Sequence, residues 1–232
     1  MEIGLVCRGR VENYAALAEN GSEQDRCRAF GVKILAFGFE GLDEVCYERE
    51  LCGETSYFEE VAVLSREIGG VVICGCKTDT LGQKRRSAVV ADKGRILGVS
   101  DANYAVDGEH SAGATLQVYE TSQGKIGVAV CEDLYFPEVA KSLAFCGSEV
   151  IVCPFSEMTG SIESVLARAY AFLNGVPVVV CGIGYAFCAD VTGDLAFASS
   201  DSPTSFTLQP QRSYHLIEMR KKGLFKRPQG EY

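Results

Sequence analysis

The sequence is short of positive charge and of histidine, and each shortage excludes a class of partner. Its 232 residues include 22 lysines and arginines against 31 aspartates and glutamates, which leaves a formal net charge of -9. Nucleic acids and anionic membrane surfaces repel a protein of this charge, so neither is an expected partner. The chain has only two histidines, and its eleven cysteines do not show the paired spacing of structural zinc ligands. We expect a small-molecule partner, and neither a metal nor a cofactor.

Long apolar runs and a basic amino terminus are also missing. The longest uncharged stretch, residues 169–189, is interrupted by Gly175, Pro177, Gly182 and Gly184, and it predicts a helix end that leads into a buried strand. We therefore predict no membrane-spanning segment and no secretory leader. An odd number of cysteines in a chain of this length is typical of reduced thiols, so we predict a cytoplasmic protein.

What the sequence does contain is an alternation of apolar strands with amphipathic helices. Glycine-containing turns connect them, including hairpin turns at Lys93-Gly94 and at Gly124. This alternation predicts one α/β domain over residues 1–232, with mixed sheets. The strands predicted outside the hairpins are 3–7, 33–39, 71–74, 149–153, 176–181, 194–198, 205–208 and 214–219, and the predicted helical segments are 23–30, 58–68, 137–146 and 162–173.

The stretch Gly124–Glu138 places Cys131 at the end of an apolar strand, directly before a predicted helical segment. In open α/β folds, reactive side chains collect at the carboxyl ends of strands, where a helix N-terminus supplies N–H groups and a positive dipole end. Such surroundings favour the thiolate and can hold an oxyanion. Most cysteines are small buried hydrophobes, which is the role expected of the other ten. Cys131 is therefore the candidate nucleophile.

A nucleophilic thiol needs a base, and four side chains are candidates. His110 lies in a loop next to glycines, whereas His215 lies within a predicted strand, which is typical of a structural histidine. Glu40 follows an apolar strand, and Glu109 lies in the loop before Gly113. A buried carboxylate serves as a base when desolvation raises its pKa. The residues alone leave the choice among these four open.

The region around Cys131, G-K-I-G-V-A-V-C-E-D-L-Y-F-P-E and onward to Phe155, resembles the nucleophile region of the nitrilase, or carbon-nitrogen hydrolase, superfamily. Weaker similarities follow in the family's order: M-E-I-G-L-V, K-I-L-A-F-G-F-E-G-L, S-A-V-V-A-D-K-G-R-I-L-G, H-S-A-G and L-A-R-A-Y-A-F-L-N-G-V-P-V-V-V. The resemblance implies a four-layer αββα sandwich with two mixed sheets, a homodimer, and hydrolysis of a small amide or nitrile through a thioester. It implies that Cys131 is the nucleophile, Glu40 the base and Glu109 a supporting second glutamate.

The chain departs from this family at the lysine of the Glu-Lys-Cys triad. The family lysine follows the I-L-G of the central hairpin, where this chain offers Asp101, Ala102 or Asn103. Its charge helps to ionise the cysteine and offsets the oxyanion, and an aspartate there would discourage thiolate formation. The cations considered for the vacant place are Arg168 and Lys77.

Three functions are consistent with these residues. The first is a carbon-nitrogen hydrolase of amidase type that acts on a small amide. The second is a nitrilase-fold protein that no longer catalyses and instead binds a small ligand or a partner. The third is a glutaminase subunit that passes ammonia to a synthetase, because the C-E-D spelling at Cys131 most resembles the glutamine-hydrolysing domains attached to NAD synthetases.

Overall fold

The computed structural model describes residues 1–14, 31–39, 41–158 and 160–209. Within these ranges residues 11–14 are helical, and four further α-helices, thirteen strands and one short 3₁₀ helix have defined bounds. In chain order they are β1 (Glu2–Val6), β2 (Ile34–Phe37), β3 (Val45–Cys46), α1 (Tyr47–Leu51), α2 (Tyr57–Glu67), β4 (Val71–Thr80), β5 (Gln83–Asp92), β6 (Arg95–Asp101), β7 (Val118–Thr121), β8 (Gly124–Val128), the 3₁₀ helix (Cys131–Tyr135), α3 (Pro137–Phe145), β9 (Val150–Glu157), α4 (Ile162–Asn174), β10 (Val178–Ile183), β11 (Ala186–Ala189), β12 (Leu195–Ser199) and β13 (Thr204–Thr207).

The strands form two sheets, and both contain parallel and antiparallel pairs. The first sheet has the order β13-β1-β2-β4-β5-β6, with the short β3 paired to the end of β4. Its parallel pairs are β1–β2, β2–β4 and β3–β4. The second sheet has the order β12-β11-β10-β9-β8-β7, with β8, β9 and β10 parallel. Both parallel triplets end at the same edge of the molecule, where Cys131 follows β8.

Three layers of buried side chains separate the helices and sheets. Successive residues of a strand point to opposite faces, so in β2 Ile34 and Ala36 pack between the sheets while Leu35 packs under α2. On the other side, Leu143 of α3 and Ala167 of α4 pack against the second sheet. The architecture is a four-layer αββα sandwich with two mixed sheets, which confirms the predicted fold class.

The hairpin at β4 and β5 is much longer than the sequence pattern predicts. The predicted strand 71–74 is only the first part of β4, which continues to Thr80 and turns into β5 at Leu81-Gly82. Leu81 and Gly82 have φ values of 52° and 82°. Two consecutive residues with positive φ match the twist of the strands that they connect, so this turn supports long strands on both sides. The additional length of β5 carries residues 83–86, and it brings Arg86 into contact with Cys131, which follows β8 in the second sheet.

Other predictions have mixed outcomes. The hairpins at Lys93-Gly94 and Gly124 are confirmed, and α3 begins at Pro137, as predicted for a proline in the first helical turn. The helical segment 23–30 and the strand 214–219, which includes His215, lie outside the described residues. A single domain over residues 1–232 stays a prediction for the same reason. Within the described ranges, no helix has the length and apolar character needed to span a membrane.

Candidate active site

Cys131 lies at a strained corner between β8 and the 3₁₀ helix. Its φ is 50°, in the left-handed region that residues with a side chain seldom adopt, and its side chain is fully buried. Such a conformation costs on the order of 1–3 kcal/mol and is often found at functional sites. The 3₁₀ helix that begins at Cys131 has only five residues, and α3 begins six positions after Cys131. The N-terminus of a longer helix, expected beside the thiol, is therefore displaced toward Pro137.

Hydrogen bonds to the carboxylate of Asp133 connect the corner at Cys131 to the loop that follows β6. Its buried carboxylate accepts hydrogen bonds from the backbone N–H groups of Asn103 at 2.8 Å, Tyr104 at 3.1 Å and Val130 at 3.3 Å. Burial raises the pKa of Asp133 to about 6, although these N–H groups act in the opposite direction. The ring of Tyr104 also stacks on Phe136, with centroids 3.5 Å apart. These contacts fix the corner in relation to the first sheet.

The sulfur of Cys131 faces polar groups rather than hydrocarbon alone. Arg86, on β5, donates from Nη1 to Sγ at 3.6 Å, and the thiol donates to Ser156 Oγ on β9 at 3.2 Å. A guanidinium remains charged at every physiological pH, so the thiol has a permanent positive charge beside it. The corner thus combines a strained cysteine, a cation and a hydroxyl contributed by both sheets.

Arg86 is held by two carboxylates at the same time. Its Nη1 contacts Glu132, the residue after Cys131, and its Nη2 lies 2.9 Å from Asp107 Oδ2. Asp107 also accepts from the ring of His110 at 2.8 Å. Burial acts to raise the pKa of Asp107, but hydrogen bonds from the His110 N–H, the His110 ring and the Glu109 N–H lower it to about 2. Asp107 is therefore ionised and orients Arg86 toward the sulfur.

Only some of the site residues that the sequence predicts lie beside Cys131 among the described residues. Cys131 occupies the predicted corner, whereas Glu40 lies outside the described residues and its role as base stays a prediction. Glu109 is exposed, and its N–H donates to Asp107 at 3.0 Å. No described contact joins Glu109 to Cys131, so its supporting role also stays a prediction. His110 binds Asp107 and is not a described partner of the sulfur.

Of the three residues that stand where the family lysine is expected, Asp101 points away from Cys131. Asp101 accepts from Ser87 Oγ at 2.7 Å and lies 3.7 Å from Arg85 Nε, on the face of β5 opposite to Arg86. No described contact joins the Asp101 carboxylate to Cys131. Ala102 is buried in the same inter-sheet core as Cys131, and its N–H donates to the Arg86 carbonyl at 2.8 Å. A small side chain here leaves room for that of Arg86.

Arg86 was missed because the pattern 71–74 ended the predicted strand too early. The T-D-T-L-G-Q-K-R-R stretch contains a signal that indicates the longer hairpin, since Leu81-Gly82 is an X-Gly pair between two strands. From that turn, period-two alternation places Arg86 on the face of Ala88 and Val90, which pack between the sheets. Arg168 and Lys77 are the two cations that the sequence suggested for this place. Arg168, on α4, donates a hydrogen bond to the Gly193 carbonyl at 2.6 Å. Lys77 lies directly opposite Arg86 on β4.

A cavity of about 560 Å³ opens beside Lys77. Phe39, two residues after the end of β2, forms part of its wall. A second crevice, between Arg86 and the loop that contains His110, is too narrow to admit a water molecule. The described residues contain no cluster of three histidines, cysteines or carboxylates that could hold a metal, and their ten cysteines are all free thiols.

Comparison with known proteins adds three findings. Residues 47–185 match the sequence model of the family described as Carbon-nitrogen hydrolase. The N-carbamoylputrescine amidase of Solanum tuberosum is 26% identical over 174 residues, which cover 60% of this chain and 58% of that protein. The deaminated glutathione amidase of Homo sapiens is 35% identical over 97 residues, covering 36% and 30%. The matched part of this chain thus spans less than two thirds of the length of these relatives.

Solved structures show the same fold over nearly the whole chain. A mutant of the Nesterenkonia AN1 amidase from the nitrilase superfamily superimposes with a TM-score of 0.73 at 17% identity, covering 96% of this chain and 95% of that one. Another structure of that amidase shows covalent addition of the acetamide moiety of fluoroacetamide at the active site cysteine. At this level of identity, the likeness concerns the fold.

Proposed function

This chain belongs to the carbon-nitrogen hydrolase family, and on that premise we propose that it hydrolyses a small amide through a thioester on Cys131. One observation carries the proposal: the sulfur of Cys131 lies 3.6 Å from the guanidinium of Arg86, at a left-handed corner that ends β8. A cation at that distance offsets negative charge on a reacting carbonyl oxygen. The relatives reported above are amidases, which favours an amide over a nitrile.

In the proposed reaction, Glu40 takes the thiol proton of Cys131 and the sulfur attacks the amide carbon. The carbonyl electron pair moves to oxygen, where Arg86 stabilises the negative charge. When the carbonyl re-forms, the C–N bond breaks, and the proton held by Glu40 moves to nitrogen so that ammonia or an amine leaves. Water then attacks the thioester and gives a proton to Glu40, which returns it to the departing sulfur. The acid product is released and the thiol is restored.

Arg86 takes the place of the family lysine in this proposal, although it comes from β5 and not from the chain after β6. Its guanidinium does not exchange protons, so it acts through charge and hydrogen bonding while Glu40 moves the proton. The ion pair with Glu132, which is partly buried, and the ionised Asp107 hold it in position. Glu109 is proposed to support the site through its N–H to Asp107, in addition to any role of its carboxylate.

The test is release of ammonia from a panel of small amides by the purified protein. We expect wild-type turnover to fall by roughly 10³-fold or more in Cys131→Ala, because the thioester cannot form. Cys146→Ala, which removes an exposed thiol on α3's C-terminal side, is the matched control and should keep wild-type rates. Absence of Cys131-dependent release from every amide and nitrile in the panel would remove the enzyme proposal.

A second candidate function is supported by the closed state of the site. Cys131 is fully buried, the adjoining crevice admits no water, and Arg86 is already bound by two carboxylates. These features favour a nitrilase-fold protein that binds a small ligand without turning it over. Equilibrium binding of the same amides to wild type and Cys131→Ala, with no ammonia released by either, would favour this function over hydrolysis.

The third function, a glutaminase subunit of a synthetase, rests on the C-E-D spelling. In this chain Glu132 of that motif forms an ion pair with Arg86. This contact within the site accounts for a glutamate at that position without a synthetase. Glutamine should then release ammonia no faster than other amides, whether or not a synthetase is present. A strict dependence on such a partner would restore the glutaminase proposal.

A further inference from the structure

The hydroxyl of Ser156, near the end of β9, lies beside the sulfur of Cys131. The thiol donates to Ser156 Oγ, and the two atoms are 3.2 Å apart. Successive side chains of β9 point to opposite faces, so Phe155 packs in the outer layer with Ala167 of α4, while Ser156 points between the sheets, where Cys131 lies. Ser156 therefore contacts the atom that forms and breaks the proposed thioester.

The backbone at Ser156 is held on two sides. The Phe155 carbonyl accepts a hydrogen bond from the Phe39 N–H at 3.3 Å, which connects this strand to the chain after β2. On the other side β9 pairs with β10, and the register of this pair shifts at Gly182. A Cβ on Gly182 would lie 3.0 Å from the Ser156 carbonyl oxygen and would overlap the side chain of Met158, so a glycine is required for this close approach. These contacts fix Ser156 in relation to the thiol.

A hydroxyl can serve this sulfur in two ways, whereas a guanidinium can serve it in only one. The Ser156 hydroxyl has one donor and two acceptor lone pairs, so it can accept from a thiol and, after rotation of its O–H, donate to a thiolate. Arg86 can only donate, and the Nη1 that faces the sulfur also contacts Glu132. In the proposed reaction the guanidinium stabilises charge on the carbonyl oxygen. A second donor is therefore needed for the sulfur at the step in which it gains charge.

We infer that Ser156 is a further catalytic residue, which donates a hydrogen bond to the sulfur of Cys131 as the thioester breaks. The inference rests on the proposed function, because it needs a thioester on that cysteine. After water has attacked the thioester, the C–S bond breaks and its electron pair moves to sulfur. The Ser156 O–H keeps its own proton and donates to the developing thiolate until Glu40 returns the thiol proton. A thioester sulfur is a weak acceptor and a thiolate is a strong one, so this hydrogen bond strengthens in the transition state.

The test follows the hydrolysis of acetyl-Cys131, which is formed by mixing the purified protein with p-nitrophenyl acetate. Mass spectrometry of the intact protein measures the loss of the acetyl group, and Cys131→Ala gives the background from other thiols. Ser156→Ala should slow this loss by about 10- to 100-fold, the usual effect of removing one hydrogen bond to a charged group. The first release of p-nitrophenol should change less than about threefold, because the hydroxyl binds the sulfur in both of its protonation states.

Two further variants separate the chemistry of Ser156 from a structural role. Ser156→Thr retains the hydroxyl and should lose the acetyl group within about fivefold of the wild-type rate. Ser164→Ala removes a hydroxyl on α4 that donates to the Ser161 carbonyl at 2.8 Å, and it should match wild type. Circular dichroism verifies the folding of each variant. Equal slowing of acetylation and of acetyl loss in Ser156→Ala would overturn the inference, because a merely structural change affects both steps.

The acetyl measurement can fail independently of the ammonia assay that tests the proposed function. Amide hydrolysis by wild type, together with equal acetyl loss from wild type and Ser156→Ala, would overturn the inference alone. Absence of ammonia release from every amide, with acetyl loss that depends on Ser156, would contradict only the amide hydrolase and would support the inference. A Cys131 that the ester does not acetylate would overturn the inference, because no thioester then forms for Ser156 to act on.

Discussion

Arg85 and Arg86 are neighbours in the chain, yet they lie on opposite faces of β5. Arg85 lies near Asp101, on the face that packs toward the helices, and Arg86 reaches the sulfur of Cys131 between the sheets. Their charge and position along the strand are otherwise matched. The difference in face alone makes one of them a candidate catalytic residue, because side-chain direction alternates strictly along a strand.

This pair supplies a prediction at the residue scale. We expect Arg86→Gln to lower kcat/KM for every amide by about 10²–10³-fold, the usual loss when one oxyanion-stabilising group is removed. Arg86→Lys should keep part of the activity, because it retains the charge without the fork of donors. Arg85→Gln, the control, should change kcat/KM only a few-fold in the same ammonia assay.

A rescue experiment makes the same prediction sharper. Ala102 is one of three residues that stand where the family lysine is expected, and its N–H is hydrogen-bonded to the backbone carbonyl of Arg86. Ala102→Lys should therefore restore part of the activity to Arg86→Ala, with circular dichroism used to verify folding. Equal activities of Arg86→Gln and Arg85→Gln would show that the guanidinium beside Cys131 is not used in the reaction.

At the scale of elements, the 3₁₀ helix and the loop after β6 are joined through one carboxylate. Asp133 accepts three backbone N–H groups, two of them from that loop, and is almost completely buried. Its pKa of about 6 in the folded protein lies above the ordinary aspartate value of 3.8. The folded protein therefore binds this proton more tightly than the unfolded chain does.

The sign of the pH dependence follows from that difference. The stabilisation is fully present below the unfolded pKa, near 4, and is lost as the pH rises through about 6, so the free energy of unfolding should fall across this window by at most about 3 kcal/mol. Urea denaturation from pH 4 to 7 should show this fall in wild type but not in Asp133→Asn. Asp201→Asn, at an exposed position, should follow the wild-type curve. Parallel curves for wild type and Asp133→Asn would contradict the assignment.

At the scale of the whole molecule, two sheets share one core, and their outer faces are covered by helices. The outer surface of α3 and α4 keeps apolar side chains in contact with solvent, among them Phe145, Ile162 and Val165, which are 61%, 48% and 51% exposed. Exposed apolar surface of this kind is typical of a face that another protein covers. We propose that a second copy of this chain covers it.

The dimer prediction is tested by light scattering during size-exclusion chromatography. The wild type should have about twice the chain mass of 25.0 kDa. Val165→Glu should lower the mass toward that of one chain, because burying an unpaired charge at an interface is costly. Leu51→Glu, on the distant helix α1, should leave the mass unchanged. A wild-type mass of one chain at every concentration would contradict the prediction.

We further propose a cytoplasmic location, where thiols such as those of the ten described cysteines stay reduced.

The sequence by itself determined the fold class, the hairpins at Lys93-Gly94 and Gly124, and the position of Cys131 at a strand end. These features depend on period-two patterns and turn residues that act within a few positions of one another. Only the tertiary structure decided that Arg86, 45 positions away, lies beside that thiol, and that Asp101 does not. The physical reason is that the face which a side chain takes depends on strand length and register, and its partner depends on how two sheets pack together.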